Sequence, residues 1–331
     1  MTWGCLSLLG LAASTCGRGG PGVVAYTSVD QVVSEPIFRT FEAQSGVAVH
    51  AVFDTEETKS TGVLNRLLAE AQSPRADVFW SGDPVRPFIL IARGLVEPYV
   101  SPNAAGIPAP FKASDGAWTG FAARARILLV NTRRVAAADR PASIRDLASP
   151  RWKGQAAMAN PLFGTTTIHM AALFTAWGDE PARAFLHEVK ANDVRIASSN
   201  GEVKRLVASG EVAFGLTDTD DAAEAVKDGA PVAVVYPDQD ALGTLVLPTA
   251  VVLIKGGPHP ESGRRLVDAL LAPVTEQRMA ESAAHMPLRG GLTAGTDVRG
   301  LDRVRAMQVD YASVASAMER IQPFLREWVG L

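Results

Sequence analysis

The sequence predicts an α/β chain of two lobes, each a mostly parallel sheet flanked by helices, and three observations lead there. Short apolar runs alternate with helical segments three times between residues 23 and 94, the rhythm of a parallel sheet built from strand–helix–strand units. A long extended segment from Trp118 to Asn131 then reads as a crossover between lobes. Beyond it the α/β pattern resumes, and in both halves polar residues gather after the strands, where open α/β sheets bind ligands. The division that follows is a leader and linker at 1–22, lobe 1 at 23–122 with 240–331, and lobe 2 at 123–239.

Taken in order, Val23-Val24-Ala25-Tyr26 is a strand ending at Thr27-Ser28, and Ser34-Glu35-Pro36 opens a helix that Gly46 closes. Alternation through Val47, Val49, Ala51 and Phe53 gives a second strand, followed by Asp54 to Glu57 and a helix to about Gln72. Ala76 to Trp80 is a third strand, Ser81-Gly82-Asp83-Pro84 a turn, and a short helix ends at Gly94. In the crossover, period two places Arg124 and Arg126 on one side. Lobe 2 begins with a strand at Gln155 to Ala159, a helix opening at Gly164-Thr165-Thr166-Thr167, and a helix near Glu202 to Ser209. Val212 to Leu216 is a buried strand; Pro231 to Tyr236 and Thr244 to Ile254 are extended and carry the chain back. Glu261 to Leu271 and the last thirty residues are helical in pattern.

The chain has 331 residues, 47% apolar and 20% charged, enough for a large core. A formal charge of −3 leaves no basic footprint, which excludes nucleic acid and anionic membrane surfaces as expected partners. Residues 1 to 15 carry no charge and their apolar centre is too short to span a bilayer, so an export signal fits, although the basic leader of such signals is missing. Ala13-Ser14-Thr15-Cys16 resembles the lipobox of a bacterial lipoprotein, making Cys16 the candidate for lipidation. Cys5 would leave with the signal, so the folded body is expected to hold no disulfide and no cysteine metal site.

The chemistry concentrates at Thr217-Asp218-Thr219-Asp220-Asp221, where a buried strand runs into a carboxylate-rich turn. Thr217 or Asp218 could cap the following helix with the other acids solvated near its positive end. Three acids and two hydroxyls exceed what one cap requires, so the turn is expected to face a cleft. Candidate ligand contacts are accordingly Thr27, Ser28, Asp54, Glu56, Ser81, Asp83, Arg124, Arg126, Thr165, Thr166, Thr167, Thr217, Asp218, Thr219, Asp220 and Asp221. Two chemistries compete. Asp54, Asp83, Asp218 and Asp220 would make an oxygen-only cage for a hard metal, or hold an ammonium group. Arg124, Arg126 and the threonine-rich helix start suit an oxyanion, because guanidinium forks and free helix-end N–H groups match phosphate, phosphonate or carboxylate. The five histidines lack the spacing of a helical metal motif, and His169 is read as structural.

An ordered set of segments then carries a family resemblance: Val24-Ala-Tyr-Thr-Ser, Arg75-Ala-Asp-Val-Phe-Trp, Gly94-Leu-Val-Glu-Pro-Tyr, Arg124-Ala-Arg, Pro150-Arg-Trp-Lys-Gly and Gly210-Glu-Val-Ala-Phe-Gly-Leu. Over roughly residues 23 to 290 the chain resembles periplasmic ferric-iron-binding proteins, the solute receptors of ABC importers. The resemblance implies the type II periplasmic-binding-protein fold, two α/β lobes closing on a ligand by a hinge. It also implies no prosthetic group, a permease and ATPase complex as partners, a monomeric receptor, and Fe(3+) as transported ligand beside a synergistic anion held near the arginines and the threonine-rich helix start. In the iron-binding members two consecutive tyrosines hold the metal in the loop after the strand that matches Val212 to Leu216; in this chain those positions are Thr219 and Asp220. Fe(3+) favours anionic oxygen donors, so this chain departs from the family at its strongest ligands.

The expected function is therefore an exported receptor capturing ferric iron or a related small ligand, with a phosphorylated, phosphonate or zwitterionic organic solute as the alternative. A hydrolase using paired carboxylates would have the same acids, but no Gly-x-Ser-x-Gly elbow, His-Glu-x-x-His helix or Walker sequence accompanies them. A sensor domain using the same clamp is a third class.

Overall fold

Strand β1 (Gly22–Thr27), helix α1 (Gln31–Ser45) and strand β2 (Ala48–Phe53) begin the chain of the computed structural model, which describes residues 22–54, 62–295 and 298–331. Then follow α2 (Gly62–Ala69), β3 (Val78–Ser81), α3 (Arg86–Ala92), β4 (Val96–Glu97) and the long β5 (Thr119–Asn131). The next group is β6 (Ala156–Ala159), α4 (Gly164–Trp177), α5 (Asp179–Ala191), β7 (Arg195–Ala197), α6 (Asn200–Ser209), β8 (Phe214–Asp218), α7 (Thr219–Lys227) and β9 (Val232–Val235). The chain ends with β10 (Val246–Ile254), α8 (Pro260–Leu270), α9 (Pro273–Ala283), α10 (Tyr311–Arg320) and α11 (Gln322–Val329).

Strand order is β2-β1-β3-β10-β5-β8-β6-β7. β1 lies parallel to β2 and β3, β10 runs antiparallel to β3 and β5, and β6 lies parallel to β7 and β8. Strand β5 serves both halves. Its first part pairs with β10, and from Arg126 onward it pairs with β8, with β9 joining further along. Within the part paired with β10, Ala122 takes φ 47 and the register shifts at Pro248/Thr249, an irregularity of the kind that bends and twists a strand. The expected crossover is thus one strand, and its pairing places Arg126 directly opposite Asp218.

Each half has its own aromatic core. Trp80 stacks on Phe121 at 5.6 Å and meets the edge of Phe38 at 5.7 Å, whereas Phe214 packs edge-on to Trp152 at 5.3 Å. Helices α10 and α11 touch elements of both halves. Tyr311 of α10 donates to the Val246 carbonyl of β10 at 2.8 Å, while Phe324 of α11 packs on Phe174 of α4 and Trp328 donates to the Leu186 carbonyl of α5 at 2.8 Å. That cover explains why α4 is buried from Thr165 through Phe174 rather than along one stripe.

Helix α1 begins three residues before the expected Ser34, because the Asp30 carbonyl already accepts from Ser34 N at 2.9 Å. Pro36 therefore lies inside it, and the carbonyl it leaves without a helical donor belongs to the strongly exposed Val32, where water can replace the bond. Gly46 caps the helix at φ 69, as expected. β8 runs two residues past the expected Leu216, which carries Asp218 into the sheet. No helix among the described residues is long and apolar enough to cross a membrane.

Candidate functional site

Three helix starts meet at the carboxyl ends of β6 and β8. Helix α4 brings Thr165 and Thr166, α6 brings Asn200, and the β8–α7 junction brings Asp218. Arg126 reaches them from β5 and is completely buried. Its Nη1 donates to Asp218 Oδ1 at 2.8 Å and Thr165 Oγ1 at 2.9 Å, and its Nη2 to Thr166 Oγ1 at 3.1 Å. Thr165 Oγ1 donates to Asp218 Oδ2 at 2.7 Å, and Asn200 Nδ2 to the same oxygen at 3.0 Å. Burial alone would raise the Asp218 carboxyl, but Arg126 and Arg124 hold it below the usual carboxylate range. Asp218 is the residue before the first turn of α7, yet its carboxylate makes no capping bond. Capping does not account for this acid.

Asp220 and Asp221 lie nearer the surface. Together with Asp218 they place one carboxylate oxygen each within 4.8 Å of one another, a spacing able to hold a metal ion. Asp221 accepts from Thr217 Oγ1 at 2.7 Å, and burial with Asp220 and Asp218 pushes its carboxyl up to about 7. Arg124 faces this group from β5, with Nη1 3.3 Å from Asp220 Oδ2 and 3.9 Å from Asp218 Oδ2. Its Nη2 donates to the Gly82 carbonyl at 3.0 Å. Burial disfavours its charge, but Asp220, Asp218 and Asp30 more than restore it. His285 is buried beside them and pushed down to about 4 by burial and Arg124, so it is neutral at pH 7. His169 is likewise neutral, pushed down to about 3 by burial and Arg126, in keeping with a structural role.

The remaining expected contacts divide. Thr27, Ser28 and Ser81 are buried and tie loops together. Thr27 Oγ1 donates to the Trp80 carbonyl at 2.9 Å, Ser28 Oγ accepts from Gly82 N at 2.9 Å, and Ser81 Oγ accepts from Asp83 N at 3.3 Å. Thr219 Oγ1 accepts from Ala125 N at 3.2 Å, joining the acidic turn to β5. Asp83, expected as a metal ligand, is instead buried against Arg86 and accepts from Val85 N and Arg86 N, so its charge is neutralised at the start of α3. Asp54 accepts from Val63 N at 3.4 Å and is not one of the three clustered acids. Among the described residues, the acids that come together are Asp218, Asp220 and Asp221. Thr167 is buried as well, but its hydroxyl has no hydrogen-bond partner among the described residues. Glu56 and Cys16 lie outside the described residues.

Sequence reasoning missed Asn200, Asp30 and His285. Ser198-Ser199-Asn200-Gly201 is another polar cluster after a strand, so Asn200 carried the signal used elsewhere. Asp30 likewise follows β1. His285 arrives from a loop after α9, and no local pattern ties it to the cleft.

The chain has four tyrosines, and each hydroxyl is engaged away from the acids. Tyr26 donates to Glu70, Tyr99 to Asp268 and Tyr311 to the Val246 carbonyl, and Tyr236 accepts from Arg299 N. Burial raises the pKa of all four.

A profile described as bacterial extracellular solute-binding protein matches residues 73–315. The chain belongs to this family. Among relatives of this solute-binding protein, iron uptake protein A1 of Synechocystis is 23% identical over 94% of the chain and 89% of its own length. A putative 2-aminoethylphosphonate-binding periplasmic protein of Salmonella typhimurium is 24% identical over 88% of the chain and 81% of its own length. The crystal structure of iron-bound HitA from Pseudomonas aeruginosa superposes with a TM-score of 0.81 at 22% identity, covering 94% of the chain and all of HitA. At that identity the match speaks for the fold: the chain has the two-lobed α/β architecture of periplasmic binding proteins, as its sequence predicted.

Proposed function

We propose that this solute-binding protein is the cell-envelope receptor of an ABC importer and carries ferric iron, with an accompanying anion, in the cleft between its lobes. The observation that carries the reading is the meeting of Asp218, Asp220 and Asp221 within 4.8 Å at the lobe-2 rim, opposite the Gly82 turn reached by Arg124. Relatives named for iron uptake support the cargo. Asp220 and Asp221 would supply the anionic oxygens that the missing tyrosine pair supplies in the iron-binding family members. Arg124 and the first turn of α4 would hold the anion. Capture needs no covalent step, so the chain works as a receptor and not as an enzyme.

Loops from both lobes would close on the cargo, with 23–122 and 240–331 forming one lobe and 123–239 the other. The change of sheet along β5 supports this division, with α10 and α11 as the strap between lobes. The receptor would act as a monomer and deliver to a permease and its ATPase, anchored through Cys16 where that residue is lipidated.

One observation favours a second reading. All four phenols are engaged elsewhere and two arginines face the acids, a balance that also suits a phosphorylated or phosphonate solute bearing a cationic group. Native mass spectrometry with metal analysis on protein purified without chelator separates the two. Stoichiometric iron supports the first reading, whereas metal-free protein carrying an organic phosphorus compound overturns it in favour of the second.

A further inference from the structure

We propose that Arg124 is a tethered cation that screens the acidic cluster and so sets the charge of cargo the cleft accepts; the inference rests on the receptor reading above. The two arginines of β5 are held very differently. Arg126 is fully enclosed and, although its Nε lacks a partner, both of its terminal nitrogens are bonded, to Asp218 and Thr165 and to Thr166, which makes it scaffold. Arg124 keeps 19% of its side chain exposed and meets Asp220, itself 33% exposed, through one contact of 3.3 Å. A bidentate guanidinium–carboxylate pair would be shorter and two-pronged. Instead, Arg124 Nε and Asp220 Oδ1 are both buried without a hydrogen-bond partner among the described residues. A buried donor and a buried acceptor therefore stand unmatched within one ion pair, and either gains if a ligand takes the other's place.

The guanidinium also spans two turns. Nη2 holds the Gly82 carbonyl while Nη1 faces Asp220, so one side chain joins the β3–α3 turn to the β8–α7 turn. Gly82 is fixed in turn: its N–H donates to Ser28 Oγ at 2.9 Å, and a Cβ there would lie 3.0 Å from the Ser28 carbonyl. Among the described residues, the charged and titratable groups around Arg124 are Asp30 from the start of α1, Asp218 and Asp220 from the acidic turn, Arg126 from β5, and the neutral His285. A cation approaching Asp220 must displace the guanidinium or share the carboxylate with it, and the displaced guanidinium then needs an anion. An anion meets no such obstacle at Arg124. The arrangement thus discriminates against a lone cation.

The test titrates wild type, Arg124→Gln and Arg124→Lys with terbium(III) alone and, separately, with inorganic phosphate, by calorimetry on the full chain. For Arg124→Gln the expected result is terbium affinity raised tenfold or more with phosphate affinity lowered tenfold or more; Arg124→Lys stays within threefold of wild type for terbium. A merely structural role would weaken both ligands together, so opposite signs are the signature. Unchanged or weaker terbium binding by a folded Arg124→Gln overturns the proposal. If Arg124→Gln does not fold, terbium affinity in Arg124→Met at or below wild type overturns it equally. Wild type that takes up neither iron nor organic phosphorus, with the terbium gain still present in Arg124→Gln, defeats the receptor reading and supports the screening role of Arg124.

Discussion

Among the described residues, replacing Arg126 with methionine would remove the one cation at hydrogen-bond distance from Asp218 and leave an enclosed carboxylate with only Thr165 and Asn200 as donors. Breaking a buried pair from one side costs about 3–5 kcal/mol, because the abandoned charge keeps its desolvation penalty. With an unfolding entropy of about 2.1 cal/mol/K per residue, a chain of this length should lose roughly 4–7 °C of melting temperature. The pH dependence has a definite sign. In wild type the Asp218 pKa is depressed, so its stabilisation is present above the unfolded-state value and is lost as pH falls through the folded one. In Arg126→Met the same carboxyl is raised instead, so acidification from pH 7 to pH 5 should narrow the gap between variant and wild type. Urea unfolding followed by tryptophan fluorescence at both pH values measures this, with the midpoint read at constant slope. Adding Asp218→Asn to Arg126→Met should restore about 1–3 kcal/mol, the coupling expected of directly bonded groups. A single-variant loss below about 1 kcal/mol, or a double variant no better than the single, would refute the network as described.

Three further outcomes are expected. Asp221, pushed up to about 7, keeps a proton that the unfolded chain releases near pH 4, so its contribution to stability falls as pH rises between those values; Asp221→Asn should flatten that limb in guanidinium midpoints at pH 5 and pH 8, and an unaltered slope counts against it. Gly215→Ala would set a Cβ 2.4 Å from Val203 Cγ1 and 3.1 Å from the Ala157 carbonyl inside the β6–β8 ladder, so urea midpoints should report a loss of about 1–3 kcal/mol. Phe324→Ala removes the ring that packs on Phe174 and under Arg183, and should cost about 3–5 kcal/mol. Hydrogen exchange should then rise in α11 and α4 but not in β1 to β3.

Much of this molecule is legible where local chemistry and tertiary role agree. β1, β2 and β3 announce themselves by apolar runs and turn residues, and Arg124 and Arg126 by the simple alternation of an extended strand. The acidic turn is conspicuous because three carboxylates after a buried strand demand partners. What each carboxylate does is not legible, since that depends on long-range pairing: Asp218 meets Arg126 across the β5–β8 register, 92 residues apart in sequence. Asp83 looks identical in local pattern to the cleft acids, but Arg86, one helical turn on, neutralises it. Nor does any periodicity in α10 and α11 reveal that they lie across the second half as well as the first.

The position of β10 has a consequence for how the chain reaches its native state. It sits between β3 and β5, so the first sheet cannot close until a segment that follows the whole of the second half has been made and delivered to it. Until then β3 carries an open edge, and loop closure of that length makes late assembly slow. A chain that crosses a membrane before folding turns this delay to advantage, because it stays threadable for as long as its central strand is missing. The same open edge makes the half-made chain a target for edge-to-edge pairing, and a holding chaperone would find its grip there.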